Sequence, residues 1–263
     1  MTLNEIECFI LDMDGTIYLG EELIPGADKF IKFLKNSKKE FVFLTNNSSK
    51  NSANYQQKLQ KLGIDISQNR IITSGEVTAD YVKKRDEKAS VYIVGTEKLK
   101  EDFKGADLKI KEDKEEDIDF LVLGFDTSLN YKKLWDAHDL ILRGTEYIAT
   151  NPDKVCPLEN GATMPDCGAI IELLHTSTEK YPYVVGKPNT LMIDYISEIF
   201  GVEQGKIALV GDRLYTDIKT ANKADIMSIL VLSGETKRGD LERAEQEPDL
   251  IINSIKDLYS SLV

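Results

Sequence analysis

Short apolar runs alternate with helical stretches at both ends of this chain, and that alternation confines it to a small set of folds. Phe9-Ile10-Leu11-Asp12 reads as a strand. PGADKFIKFLKN follows, with Pro25 at a common early-helix position and Phe30, Phe33 and Leu34 at helical spacing. EFVFLT is a second apolar run, NNSSKNSANYQQKLQKLG a capped helix closed by Gly63, and RIITS a third strand. Towards the other end, YPYVVGKPN reads as a strand and a helix start. TLMIDYISEIFGV carries a stripe of Leu191, Met192, Tyr195, Ile196 and Ile199. KIALVGD, MSILVLSG and DLIINS are strands, and IKDLYSSL is a last helix. Strands separated by helices imply a parallel sheet with helices on both faces.

The middle repeats the style as a separate unit. ASVYIVG, DFLVLGFD and TEYIATN read as strands with helices between them. Lys109 to Asp119, KIKEDKEEDID, is a charge run that suits a solvated loop or edge. In YKKLWDAHDLILRG, residues Tyr131, Leu134, Trp135, His138, Ile141 and Leu142 follow helical spacing, so His138 is read as a packing residue. The simplest organisation is one α/β core, residues 1–78 and 182–263, with a second α/β unit, residues 79–181, inserted into it.

Charge and cysteine content narrow the function. A formal net charge of -12 argues against nucleic acid as a partner. It also repels anionic substrates at long range, so a site for one must hold its own cations. Cys8, Cys156 and Cys167 form no C-x-x-C pair, which argues against a disulfide framework or structural zinc. No run approaches a membrane span, and the stretch MTLNEIECFILDMDG lacks the basic start of a signal peptide. The expected compartment is the cytoplasm.

Open parallel sheets bind ligands beyond the carboxyl ends of their strands. After the first strand stand Asp12, Asp14, Gly15 and Thr16. After EFVFL come Thr45, Asn46 and Asn47, after YVVG comes Lys187, and after IALVG come Asp212 and Asp217. Oxygen ligands of this kind suit Mg²⁺. A hydroxyl beside a helix start and a lysine suit phosphate. A carboxylate can act as nucleophile through an aspartyl-phosphate. Alone, each has a plainer meaning: Asp14-Gly15 a turn, Thr45 to Ser48 a helix cap, Asp217 an early-helix acid. GVEQGKI echoes a P-loop, but its glycines are too close and no Ser or Thr follows Lys206.

Taken in order, DMDGT, FLTNNSS, VGKP and GDRLYTD resemble the four motifs of the haloacid dehalogenase superfamily in its Mg²⁺-dependent phosphatase branch. With the insertion and ATNPD, the chain resembles the NagD and p-nitrophenyl phosphatase subfamily over nearly its full length. The resemblance implies a Rossmann-like doubly wound parallel sheet core with an inserted α/β cap domain. It implies Asp12 as nucleophile and metal ligand. Asp14 becomes general acid and base, with its backbone carbonyl on the metal. Thr45 and the backbone of Asn46 would hold the phosphoryl group, and Lys187 would bridge phosphate and Asp12. Asp212 would bind Mg²⁺, and Asp217 would orient the metal shell. Ala149 to Ala169 resembles the cap segment facing the core, which nominates Asn151, Asp153 and Asp166 for substrate choice.

The expected function is Mg²⁺-dependent hydrolysis of small-molecule phosphate esters through an aspartyl-phosphate on Asp12. The alternatives are a phosphotransferase using the same intermediate and a non-enzymatic phospho-acceptor module. No nucleic-acid or membrane partner is expected. The substrate, and whether the cap mediates a homodimer, are left open.

Overall fold

The computed structural model describes residues 2–158 and 162–263; residues 159–161 of the expected cap segment lie outside the described residues. The chain opens with β1 (Cys8–Asp12), the short strands β2 (Tyr18–Leu19) and β3 (Glu22–Leu23), α1 (Ala27–Asn36), β4 (Glu40–Thr45), α2 (Ser52–Lys61), β5 (Ile71–Thr73) and α3 (Ser74–Arg85). The middle adds β6 (Ser90–Val94), α4 (Glu97–Gly105), β7 (Lys109–Lys111), β8 (Phe120–Leu123), α5 (Tyr131–Arg143) and β9 (Glu146–Ala149). The strands β10 (Val155–Pro157) and β11 (Thr163–Pro165), then α6 (Cys167–Thr178) and β12 (Tyr183–Val184), complete it. The last part holds α7 (Leu191–Phe200), β13 (Ile207–Gly211), α8 (Lys219–Lys223), β14 (Met227–Val231), β15 (Leu250–Ile252) and α9 (Ile255–Leu262).

Two compact units result. One comprises the chain up to Thr45, Tyr55–Ile72 and Lys187–Val263; the other comprises Asn46–Asn54 and Thr73–Gly186. In the first unit six strands run in the order β15-β14-β13-β1-β4-β5. β1 pairs in parallel with both β4 and β13. Cys8 to Leu11 are fully buried at every position, as in a strand covered on both faces. Phe9 and Leu11 of β1 pack with Phe41 and Phe43 of β4, Phe30 and Leu34 of α1, and Ile255 and Leu258 of α9. The order reverses beside β1, because β4 and β5 lie to one side and β13 to β15 to the other. This is a Rossmann-like doubly wound sheet, and its switch point lies between β1 and β13.

The second unit is also α/β. Its five strands are ordered β12-β9-β8-β6-β7, with every described pairing parallel. Val94, Leu121, Leu123 and Ala149 on its strands pack with Leu140 and Ile141 of α5 and Ile170 and Leu174 of α6.

Several local expectations need correction. YPYVVG does not join the core sheet: β12 pairs with β9 of the second unit, Tyr183 opposite Ile148 and Val184 opposite Ala149. The units divide at Ile72 and Gly186, and Asn46–Asn54 belongs to the second; the expected boundary after residue 78 falls inside α3. The helix expected from Asn46 begins only at Ser52, because Asn46 and Ser48 are buried in polar contacts that a helix would break. In α5 the buried face is Asp136, Ala137, Leu140 and Ile141, while Tyr131, Trp135 and Leu142 are exposed. Asp136 explains the rotation: Tyr92 Oη donates to it at 2.7 Å and Lys132 Nζ pairs with it, so a carboxylate takes an inward position. His138 Nδ1 lies 3.0 Å from Ser177 Oγ, a structural contact. The charge run starts as the edge strand β7.

Candidate active site

The register of the first unit's sheet gathers the site. Asp12 lies opposite Leu44, and Leu11 opposite Val210, so Thr45 ends its strand and Asp212 follows its strand along one edge. One carboxylate oxygen each of Asp12, Asp212 and Asp217 lies within 4.8 Å of the others. Lys187 Nζ is 2.6 Å from Asp12 Oδ1 and 2.6 Å from Asp217 Oδ1, with the lysine 2 % exposed. Asp217 is placed by a π-helical turn, Leu214–Ile218, whose first residues curl it back so that Arg213 N–H donates to its Oδ2 at 3.1 Å.

Three carboxylates face one ammonium, which leaves two negative charges when all are ionised. Burial and this crowding of charge act together on Asp12, Asp212 and Lys187. Burial holds the Asp12 carboxyl well above the usual carboxylate range; Lys187 pulls it down, and Asp217 and Asp212 push it further up. Burial, with Asp217 beside it, pushes Asp212 up to about 7, against the Glu235 N–H that lowers it. Burial alone would lower Lys187, but Asp12 and Asp217 outweigh it and hold the ammonium above the lysine range.

A divalent cation fits this donor set. Its charge equals the excess, and the donors are hard oxygens. The decisive observation is Asp212: its Oδ2 accepts from Glu235 N–H at 2.6 Å, while its Oδ1 is buried with no hydrogen-bond partner. Buried polar atoms without partners are rare in native proteins, and an ion is one of the standard reasons for one.

Asp14 stands apart from that cluster through its side chain. Its Oδ2 accepts from Tyr18 Oη at 3.2 Å, and the turn between them is tight, with Gly15 N–H donating to Tyr18 O at 2.8 Å. Tyr18 is fully buried, and Lys58 Nζ sits 3.8 Å from its ring centroid. Sequence reasoning missed Tyr18. Its only signal was a phenol four residues after Asp14, and its direction depends on the β2–β3 hairpin.

In the second unit Asn46, Asn151 and Asp153 meet one another, and Asp166 stands apart from them. Asn46 Nδ2 donates to both Asp153 oxygens at 3.3 Å. Asn46 O accepts from Asn151 Nδ2 at 2.8 Å and from Ser74 Oγ at 2.6 Å. Asp153 N–H donates to Asn151 Oδ1 at 3.0 Å. These bonds fix the side chain and the carbonyl of Asn46. Asp166 is the N-cap of α6, its carboxylate accepting from Cys167 N–H at 2.5 Å. Asn151, Asp153 and Asp166 are all buried and engaged within their own unit.

Residues 9–109 match the family described as haloacid dehalogenase-like hydrolase, and residues 184–258 match a second, HAD-hydrolase-like description. The acid sugar phosphatase of Staphylococcus epidermidis is 35% identical over 97% of this chain and 96% of its own. The chain belongs to the haloacid dehalogenase-like hydrolases. It is a NagD-like phosphatase, a phosphoric monoester hydrolase. The 4-nitrophenylphosphatase of Thermotoga maritima superposes with a TM-score of 0.94, at 45% identity and 99% coverage of both chains. The glycerol phosphate phosphatase of Mycobacterium tuberculosis, solved in complex with magnesium, has a TM-score of 0.91 at 29% identity, covering 97% of this chain and 78% of that one. Among the described residues no helix is long and apolar enough to cross a membrane.

Proposed function

We propose that this phosphatase hydrolyses small phosphate monoesters, sugar phosphates foremost, with Mg²⁺ and through a phosphoryl group carried on Asp12. The observation that carries the reading is the Asp12–Lys187 contact beside the bare Asp212 Oδ1. Sugar phosphates are preferred as the substrate class because the staphylococcal relative is an acid sugar phosphatase.

Asp12, Asp212 and the backbone carbonyl of Asp14 would hold the cation, with Asp217 orienting its shell. When bound, Mg²⁺ supplies charge stabilisation to phosphoryl oxygens. Lys187 favours the ionised form of Asp12 against its burial, holds its orientation, and adds a positive charge where the transferring group's oxygens gather. Asp12 attacks phosphorus, and the P–O bond to the alcohol breaks. Asp14 protonates the departing alkoxide; as a carboxylate it then takes a proton from the water that attacks the aspartyl-phosphate. Tyr18 orients Asp14 through its hydroxyl. Thr45, at the end of β4, receives phosphoryl oxygens. Water rather than a second alcohol is assigned as acceptor, in keeping with the hydrolase family.

The test is a rapid-quench experiment with a ³²P-labelled sugar phosphate. Label bound to protein, acid-stable and hydroxylamine-labile, and absent from Asp12→Asn, is the expected result. A Pi burst without protein-bound label would overturn the covalent route. Added glycerol or methanol separates transfer from hydrolysis, since a transferase would form new esters in place of Pi.

A further inference from the structure

Asp212 is enclosed by backbone to a degree that the carboxylate's chemistry alone does not require. A Cβ on Gly234 would lie 1.9 Å from Asp212 Oδ2 and 2.5 Å from its Cγ. A Cβ on Gly15 would lie 2.4 Å from the same Oδ2 and 2.9 Å from Gly234 Cα, and Gly15 has φ +80. Both glycines thus abut the Oδ2 side of Asp212, where a Cβ on either would collide with it. The segment carrying Gly234 is tied down on both sides. Ser233 Oγ donates to Gly15 O at 2.8 Å, Glu235 N–H to Asp212 Oδ2 at 2.6 Å, and Thr236 N–H to Asp212 O at 3.2 Å. This segment lies after β14, in none of the four motifs that the sequence singles out.

We propose that Gly234, with Gly15 beside it, is a positioning residue for the divalent cation: the two glycines leave room for Glu235 N–H to occupy Asp212 Oδ2 and so reserve Oδ1 for the metal. This rests on the cation site proposed above. Two oxygens on one carboxylate have different surroundings here. Oδ2 is spent on the protein and Oδ1 has no hydrogen-bond partner. A methyl at Gly234 forces the carboxylate to turn or the segment to withdraw. Either way the Glu235 bond is lost, and Oδ2 competes with Oδ1 for direction. At Gly234 the φ is not in the left-handed region, so the effect of alanine there is contact with Asp212 and not backbone strain. At Gly15 both act, which makes Gly234 the cleaner probe.

The experiment is calorimetric titration of the full chain with Mg²⁺ alone, in the wild type, Gly234→Ala, Asp212→Asn and the double variant. Changes around a metal ligand typically weaken binding about 10–100-fold. Gly234→Ala is expected to weaken Mg²⁺ at least tenfold while its circular dichroism and melting point in EDTA stay near wild type. In the Asp212→Asn background Gly234→Ala should weaken Mg²⁺ no further, because its effect runs through that carboxylate. Unchanged Mg²⁺ affinity in Gly234→Ala, or additive losses in the double variant, would overturn the proposal. If Gly234→Ala fails to fold, Ser233→Ala, which drops the tie to Gly15 without adding a clash, should weaken Mg²⁺ by a smaller factor; no change would overturn it. If Asp212→Asn itself leaves Mg²⁺ binding intact, the cation site has been assigned wrongly, an outcome separate from failure of the glycine argument.

Discussion

Lys187 and Asp12 are 175 residues apart in sequence, yet the lysine's Nζ sits 2.6 Å from the aspartate's Oδ1. The same nitrogen reaches Asp217 Oδ1 at 2.6 Å, so one buried cation joins the first, third and fourth motifs. Removing one partner of a buried pair leaves an uncompensated charge, which commonly costs about 3–5 kcal/mol. Lys187→Met is therefore expected to lower stability and, through loss of charge stabilisation, to lower kcat by about 10²–10³. Urea unfolding and steady-state kinetics read the two effects. A variant with near wild-type kcat would exclude Lys187 from the reaction.

Asp12→Asn is expected to abolish turnover and keep the fold. The amide is nearly isosteric, but it is no nucleophile and a poor metal ligand. A tenth or more of the wild-type rate, measured after excluding deamidation by mass spectrometry, would count against attack by Asp12.

The Tyr18–Asp14 bond predicts a leaving-group effect. Asp14→Asn should lose about 10²–10⁴-fold on alkyl phosphates, the usual range for general acid–base catalysis. Phosphoenzyme formation from p-nitrophenyl phosphate should lose less, because an aryl oxide departs without a proton. Tyr18→Phe should follow the same pattern with a smaller loss, since it only frees the carboxylate to reorient. Equal losses on alkyl and aryl esters would remove Asp14 as the acid.

Asn151 separates an internal role from substrate choice. Its side chain donates to Asn46 O and accepts from Asp153 N–H, and it is fully buried. Asn151→Ala leaves Asp153 N–H without that acceptor, at a cost of about 1–3 kcal/mol. The expected result is a lowered urea midpoint with the ranking of phosphate esters preserved. A changed ranking at unchanged stability would return Asn151 to substrate selection.

Asp102 of α4 gives a pH prediction outside the site. Burial, with Glu76 and Glu101 nearby, pushes its carboxyl up to about 7 from an ordinary 3.8, and its Oδ2 is buried without a hydrogen-bond partner. Between these values the folded state binds more protons than the unfolded one. Stability therefore falls as pH rises from about 4 to about 7 and gains nothing further from this group above that. Asp102→Asn should flatten the decline and raise the urea midpoint at pH 8 relative to wild type. An identical pH dependence of the two proteins between pH 4.5 and 8 would refute the assignment.

By itself the sequence determined the order of strands and helices in the core and the identity of the charged residues at their ends. EFVFLT forms β4 over its full length, and Asp12, Asp212 and Asp217, which follow or end core strands, meet; Lys187 joins them although the strand before it is not in the core sheet. The reason is local. A strand buried on both faces must be apolar throughout, and a parallel sheet places every strand's carboxyl end on one edge. Tertiary structure decided the rest, wherever a short or polar segment could satisfy itself in more than one way. Two residues of β12 carry too little pattern to choose a sheet, and the backbone of β9 chose for them. Asn46 had the chemistry of a helix cap, but buried Asp153, Asn151 and Ser74, far along the chain, gave it other partners. Trp135 had the hydrophobicity for the core, but Asp136 took the inward face because Tyr92 and Lys132 could bond it there. Gly15 and Gly234 are separated by most of the chain, and nothing in either neighbourhood specifies that one carboxylate must fit against both of them. That constraint exists only once β1, β13 and β14 are side by side.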